Sequence, residues 1–289
     1  MKYNLKIIFT LIALFLSTQL IGLGLLYKDM SVKVVNGQAK VIHGETTLGP
    51  RPETYGWETF VWVIGSVSIS TLLVLLIIRF GKVNWWRTLF FTSVFLTISL
   101  SLGVFLSQVI ALTLAFILAI VKILKPNPII HNITEILMYS GIAVLLVPLF
   151  DIEWVTILLL GISLYDVYAV FKSKHMVKMA LFQAKSKTFA GISIPVKKAK
   201  KGKKGIGAAI IGGGDLAFPL IFAGVVMERL VSVYNLTKEI AFMRTLIIPI
   251  ITTFAILILL MKGKEGKFYP AMPFVTAGCL LGYLLVLII

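Results

Sequence analysis

The chain has 289 residues, 58% of them hydrophobic and only 14% charged, with a formal net charge of +16. A soluble domain carries about 25% charged residues, so this composition excludes an ordinary soluble fold and describes a polytopic membrane protein. The basic balance does not point to nucleic acid, because the lysines and arginines lie in segments between apolar spans, where the positive-inside rule puts them.

Ile7–Tyr27 is charge-free and follows Lys2 and Lys6. It is long for a signal-peptide core and lacks a small-x-small cleavage site before Lys28, so it reads as the first span. Residues 28–56 are mixed polar with Asn36-Gly37 and Gly49-Pro50, and read as an exposed loop. Residues 59–78 form the second span, closed by Arg79. Residues 88–121 carry no charge. As one helix they would run about 51 Å, too long for a hydrocarbon core of about 30 Å, so they fold back as two spans. The break is expected near Ser101–Gly103.

Lys122 and Lys125 close the fourth span, and Pro126 and Pro128 interrupt the chain. His131-Asn132-Ile133-Thr134-Glu135 reads as a helix start, with Asn132 as cap and Glu135 in the first turn. The fifth span runs to Phe150, and Asp151 and Glu153 make the next turn. The sixth runs from Trp154 to Phe171. Residues 172–205 form a loop with eleven lysines and no acid, containing an apolar island at Thr188–Val196. The seventh span is read as Ile206–Met227, the eighth as Ile240–Met261 with a kink at Pro249, and the ninth as Phe268–Ile289.

This predicts an all-α membrane protein of nine transmembrane helices in one domain, 1–289. Helices one to five fill residues 1–150 and helices six to nine fill 151–289. Lys or Arg occurs in 1–6, 79–87, 122–130, 172–205 and 262–267, while the opposing 151–153 turn holds only acids. The bias places the N-terminus and the basic loop 172–205 in the cytoplasm and the C-terminus outside, in a multi-pass protein of the cell membrane. The loop lysines are read as topology signals that meet anionic lipid headgroups.

Two spans carry a lone carboxylate: Asp166 in G-I-S-L-Y-D-V-Y and Asp215 in G-G-G-D-L-A-F-P. A charge at the centre of a membrane helix costs about 2.5–3.5 kcal/mol on insertion scales, so each marks a functional site by default. Asp166 lies about 9 Å before Lys172, and Asp215 about 12–15 Å into a span starting at Ile206, at similar depth. If the helices touch, the carboxylates share a proton. One then takes a proton from water attacking a carbonyl while the other donates to the carbonyl oxygen and later to the leaving nitrogen. That chemistry needs no metal, cofactor or covalent intermediate. The three histidines are scattered and no HExxH occurs, which excludes a zinc protease of that type; the single Cys279 excludes an intramolecular disulfide. Gly212-Gly213-Gly214 removes side chains before Asp215, which makes the helix pliable and lets another backbone approach.

Tyr165-Asp166 in the sixth span, Gly212-x-Gly214-Asp215 in the seventh and Pro270-Ala271-Met272 at the start of the ninth resemble the motifs of the presenilin and signal peptide peptidase family of intramembrane aspartyl proteases. A prokaryotic, archaeal presenilin homologue is the closest description. The resemblance implies a nine-span presenilin-like fold and an aspartic endopeptidase that cleaves transmembrane helical substrates. It implies that Asp166 and Asp215 are catalytic, that Tyr165 adjoins them, that Gly212 and Gly214 shape the site, and that Pro270 and Ala271 help place substrate. The family's third residue there is usually Leu; Met272 is a volume-similar exchange. Pro219 is more like signal peptide peptidases than animal presenilins. Two other readings compete. An ion-coupled transporter also uses paired membrane acids, but no repeated half-structure is visible. A prepilin-type peptidase would carry a lysine soon after its aspartate and leaves Pro-Ala-Met unexplained.

Overall fold

The structure is a computed structural model that describes residues 4–35, 38–81, 83–125, 127–173, 188–196, 208–263 and 269–289, with Met179, Phe182, Gln183 and Ser186. Helix α1 (Leu5–Asp29) starts at Asn4, whose side chain accepts the Lys6 N–H. It passes directly into an antiparallel hairpin of β1 (Met30–Val35) and β2 (Gln38–His43). The stretch expected as a loop is therefore partly sheet, with Asn36-Gly37, a two-residue hairpin signal, between the strands in sequence.

Helix α2 (Trp57–Phe80) ends at Gly81, which takes the left-handed conformation at φ 65° and returns its N–H to Ile77 and Ile78. Helices α3 (Val83–Gly103) and α4 (Gln108–Leu124) divide the charge-free run where expected. Helix α5 (Pro128–Leu146) is capped by Asn127, not Asn132, with Pro128 in its first turn. Asn132 and Glu135 lie inside the helix instead. Asp151 caps α6 (Ile152–Val167), accepting the Trp154 N–H at 2.9 Å, and α6 continues as a π-helical turn over Tyr168–Lys172.

The next region departs most from expectation. Gly191–Pro195 is strand β3 and Ala208–Gly212 is strand β4, paired antiparallel with Gly191 opposite Gly212. The apolar island in the basic loop is thus a strand, and the seventh helix, α7 (Gly213–Ser232), begins seven residues after Ile206. Of the eleven loop lysines only Lys172 falls among the described residues. Helix α8 (Lys238–Thr245) is separated from α9 (Ile247–Lys262) at Leu246. Pro249 has no N–H for the Thr245 carbonyl, so the ladder breaks four residues upstream of the proline. Helix α10 (Met272–Ile288) completes the described helices.

Among the described residues, six helical stretches are long and apolar enough to cross a membrane: α1, α2, α3, α5 with its final turn, α6 with its π turn, and α8–α9 taken together. Helices α4 and α10 are shorter apolar helices. Helix α7 is the hub, touching α1, α5, α6, α8, α9, α10 and both hairpins, with Leu216 and every residue of Pro219–Met227 buried.

Glycine permits a close approach of α9 and α10. A Cβ on Gly278 would sit 2.7 Å from Thr252 Cα, and one on Gly282 would sit 2.8 Å from Ile248 Cα. This is a small-xxx-small face, which lets backbones meet. Gly278→Leu is expected to lower stability by about 1–3 kcal/mol through overpacking. Gly161→Leu, where nothing lies within 4 Å, leaves the melting temperature in detergent unchanged.

At the opposite end of α7 from Asp215, a polar clasp ties the first hairpin to the helices. His43 Nδ1 lies 2.7 Å from Asp29 Oδ2, and Nε2 lies 2.9 Å from Glu228 Oε1, near enough for an ion pair though poorly directed for a hydrogen bond. Arg51 Nη2 adds a 2.8 Å contact to Asp29. Burial alone would lower the His43 pKa, but its two carboxylate partners outweigh burial and raise it to about 9. A raised folded-state pKa stabilises fully below the free-histidine value near 6.5 and is lost as pH rises through about 9. The melting-temperature gap between wild type and His43→Ala, about 1–3 kcal/mol in stability at neutral pH, is therefore expected to close across that window.

Candidate active site

Asp166 stands in the last turn of α6 and is 3% exposed. Its carboxylate meets the first residues of α10: the Met272 N–H donates to Oδ2 at 3.1 Å, and the Ala271 N–H is a second donor. A helix N-terminus presents unpaired N–H groups and a partial positive charge, so α10 is built to receive an anion there. One turn earlier, Thr276 Oγ1 donates to Leu159 O at 3.3 Å, and Ser163 Oγ lies 2.6 Å from Thr276 Oγ1. With the Thr276 proton engaged, Ser163 is the donor in that pair. These contacts fix the register of α6 against α10, and so the height of Asp166. Pro270 and Met272 are buried and Ala271 is half-buried. The Pro-Ala-Met motif therefore lies at Asp166 through its backbone, a contact to which the Met272 side chain is indifferent.

Asp215 is the third residue of α7 and is partly exposed. Gly212 is the N-cap, with extended backbone at φ −65° and ψ 152°, and the Asp215 carboxylate reaches back to the Gly212 N–H. That is the acidic half of a capping box, here with a cap that has no side chain. A Cβ on Gly212 would stand 3.1 Å from Asp215 Oδ2. The three glycines are thus a strand-to-helix junction and not a pliable mid-helix segment, and Asp215 lies in a first helical turn. Gly213 packs against the Tyr139 ring, and Gly214 is exposed beside Asp215.

Helices α6 and α7 pack together, and the Asp166 charge acts on Asp215. Asp166 is held by two N–H groups at the start of α10, and Asp215 by the Gly212 N–H at the cap of α7. Asp166 is enclosed and Asp215 opens to the surface. Tyr165 is 38% exposed next to Asp166, and the π turn that follows exposes Tyr168 and Phe171. Such turns collect at functional sites.

Three residues near this site escaped the sequence reading. Lys122 Nζ lies 2.5 Å from Glu135 Oε1 and 2.8 Å from Thr134 Oγ1, with Lys122 5% and Glu135 0% exposed. The Tyr139 hydroxyl donates to Glu135 Oε2 and touches Gly213. The signal that found the aspartates, a lone charge in an apolar span, was present here too. It was absorbed by the cap and span-end readings of Glu135 and Lys122.

The signal peptide peptidase family model matches residues 3–289. No curated protein matches significantly. Two solved structures, each described as a presenilin family intramembrane aspartate protease, share the fold. One, in space group C222, is 18% identical with a TM-score of 0.61 over 96% of this chain and 97% of its own. The other, in space group P2, is 17% identical with a TM-score of 0.60 over 96% of each chain. A match over almost the whole length places this chain in the signal peptide peptidase family, as a multi-pass intramembrane aspartic endopeptidase.

Proposed function

We propose that the chain hydrolyses peptide bonds of single-span transmembrane substrates with water activated between Asp166 and Asp215. The observation that carries this reading is two acids on packed helices, each backed by the backbone donors of a separate helix N-terminus. Like charges in a poorly solvated site disfavour double ionisation, so the pair holds one proton. The ionised member accepts a proton as water oxygen bonds to the scissile carbonyl carbon. The protonated member hydrogen-bonds the carbonyl oxygen, and a proton passes to the nitrogen as the C–N bond breaks. The pair titrates as a unit, so neither acid is named base.

Gly212 and Gly214 leave room beside Asp215 for an extended substrate backbone, and Tyr165, Pro270, Ala271 and Met272 border Asp166. Nine crossings follow if α8–α9 counts once, with the N-terminus cytoplasmic and the C-terminus outside. The loop charges support that orientation, and the lysines of 172–205 then face anionic lipid headgroups. A transporter reading rests on the same acids, so the test separates the two. Proteoliposomes holding a single-span peptide and a lumenal pH dye are expected to yield peptide fragments without proton flux. Flux without fragments would replace hydrolysis by ion coupling.

A further inference from the structure

The α5 residues His131, Asn132, Glu135 and Tyr139 share one helix face, spaced at one, four and eight positions from the first. That face grips the backbone of β3. His131 Nε2 donates to Gly191 O at 2.8 Å. Asn132 Nδ2 donates to Ser193 O at 3.0 Å, and its Oδ1 accepts the Ser193 N–H at 3.0 Å. Glu135 Oε2 accepts the Gly191 N–H at 2.7 Å. A strand edge inside a membrane protein must have its polar groups met, and α5 meets this one with side chains.

Two lines from Glu135 converge on one place. Through Gly191 it reaches Gly212, the cross-strand partner. Gly191 has φ 141°, and a Cβ there would lie 3.3 Å from Gly212 Cα, so the two glycines are in backbone contact. Through the Tyr139 hydroxyl it reaches Gly213, where a Cβ would stand 2.9 Å from Tyr139 Cζ. Gly212 and Gly213 are the cap and first residue of α7, directly ahead of Gly214 and Asp215. On the far side, Lys122 of α4 neutralises Glu135 in a buried pair.

Resting on the reading of Asp215 as half of the dyad, we propose that Glu135 and Tyr139 are positioning residues: they fix the β4–α7 junction and thereby aim the Asp215 carboxylate. Lys122 pairs with Glu135 and holds its side chain in place. The hydrogen-bond acceptor, not the charge, does the positioning. Replacing both charges while keeping an acceptor therefore preserves turnover.

The experiment is cleavage of a single-span peptide in proteoliposomes by wild type, Tyr139→Phe, Lys122→Met/Glu135→Gln and Lys122→Met/Glu135→Leu, with melting temperatures measured on each. Misplacing a catalytic group by a fraction of an ångström to 1 Å costs on the order of 10- to 100-fold in rate. Tyr139→Phe and the Leu double variant are expected to lose kcat by that factor with KM nearly unchanged. The Gln double variant, whose amide oxygen still accepts from Gly191 and Tyr139, is expected to stay close to wild type. Wild-type kcat in both Tyr139→Phe and the Leu double variant would overturn the proposal, as would a loss in all three variants that follows only their melting temperatures. Asp215→Asn in the same assay checks the dyad separately: turnover by that variant would defeat the reading of Asp215, whatever the α5 variants do.

Discussion

Asp166→Asn and Asp215→Asn are each expected to abolish cleavage, with the double variant no slower than either alone. Asparagine matches aspartate in shape and keeps an oxygen that accepts the Met272 N–H at Asp166 or the Gly212 N–H at Asp215. The start of α10 and the cap of α7 therefore persist, and the melting temperature holds. What is lost is the carboxylate's capacity to take and return a proton. General acid–base catalysis contributes about 10²–10⁴-fold for one positioned group, and a pair acting on one proton loses both roles when either member goes. Groups that work as a unit are strongly non-additive. The expected drop is on the order of 10⁴-fold for each single variant, with no further loss in the double. Initial rates on a quenched peptide over four chains give the answer. A single variant retaining a tenth of the rate would separate the roles and contradict a shared proton.

The largest stability effect is expected at Glu135. Its carboxylate is 0% exposed, accepts from Gly191 and Tyr139, and pairs with Lys122, itself 5% exposed. Among the described residues Lys122 is otherwise met by the Thr134 hydroxyl at 2.8 Å, the His131 carbonyl at 3.5 Å and the Phe90 ring at 5.7 Å to its centroid. Glu135→Gln leaves an ammonium without its counter-ion, and breaking a buried pair costs about 3–5 kcal/mol. Adding Lys122→Met removes the stranded charge and fills its place with an apolar chain of similar length. Replacing both members of a buried pair is often close to neutral, so the second substitution is expected to restore most of the loss. Denaturant or thermal unfolding in detergent closes the cycle. Additive losses in the double variant would show that the two side chains do not act as a pair.

The residues that are rarest in hydrocarbon were the most legible in the sequence. Asp166 and Asp215 stand out because an acid in an apolar run has few bland explanations. The division of residues 88–121 followed from length alone, and the structure breaks the run at 104–107. The errors share a physical cause. Residues 206–212 are apolar and run into an apolar helix, and a short apolar run does not announce whether it is strand or helix. The strand character of residues 208–212 is set by β3, 13 to 21 residues away and itself inside a lysine-rich loop. Asn132 and Glu135 carried a local capping pattern, whereas their partners are the Ser193 and Gly191 backbones, 61 and 56 residues on. Local signals describe chain ends well and describe tertiary partners poorly. The misplaced start of α7 also altered the site, because it put Asp215 deep in a helix when it stands in the first turn, aimed by the junction before it.

The proposed dyad of Asp166 and Asp215 cuts a peptide bond within the bilayer. Mass spectrometry of the products from a reconstituted single-span peptide tests this most directly, with wild type and Asp215→Asn compared side by side. Fragments from wild type that meet at a bond inside the apolar segment, each pair summing to substrate plus one water, and intact peptide with Asp215→Asn, are the predicted result. The same fragments from both chains, or a cut confined to the polar flanks, would contradict it.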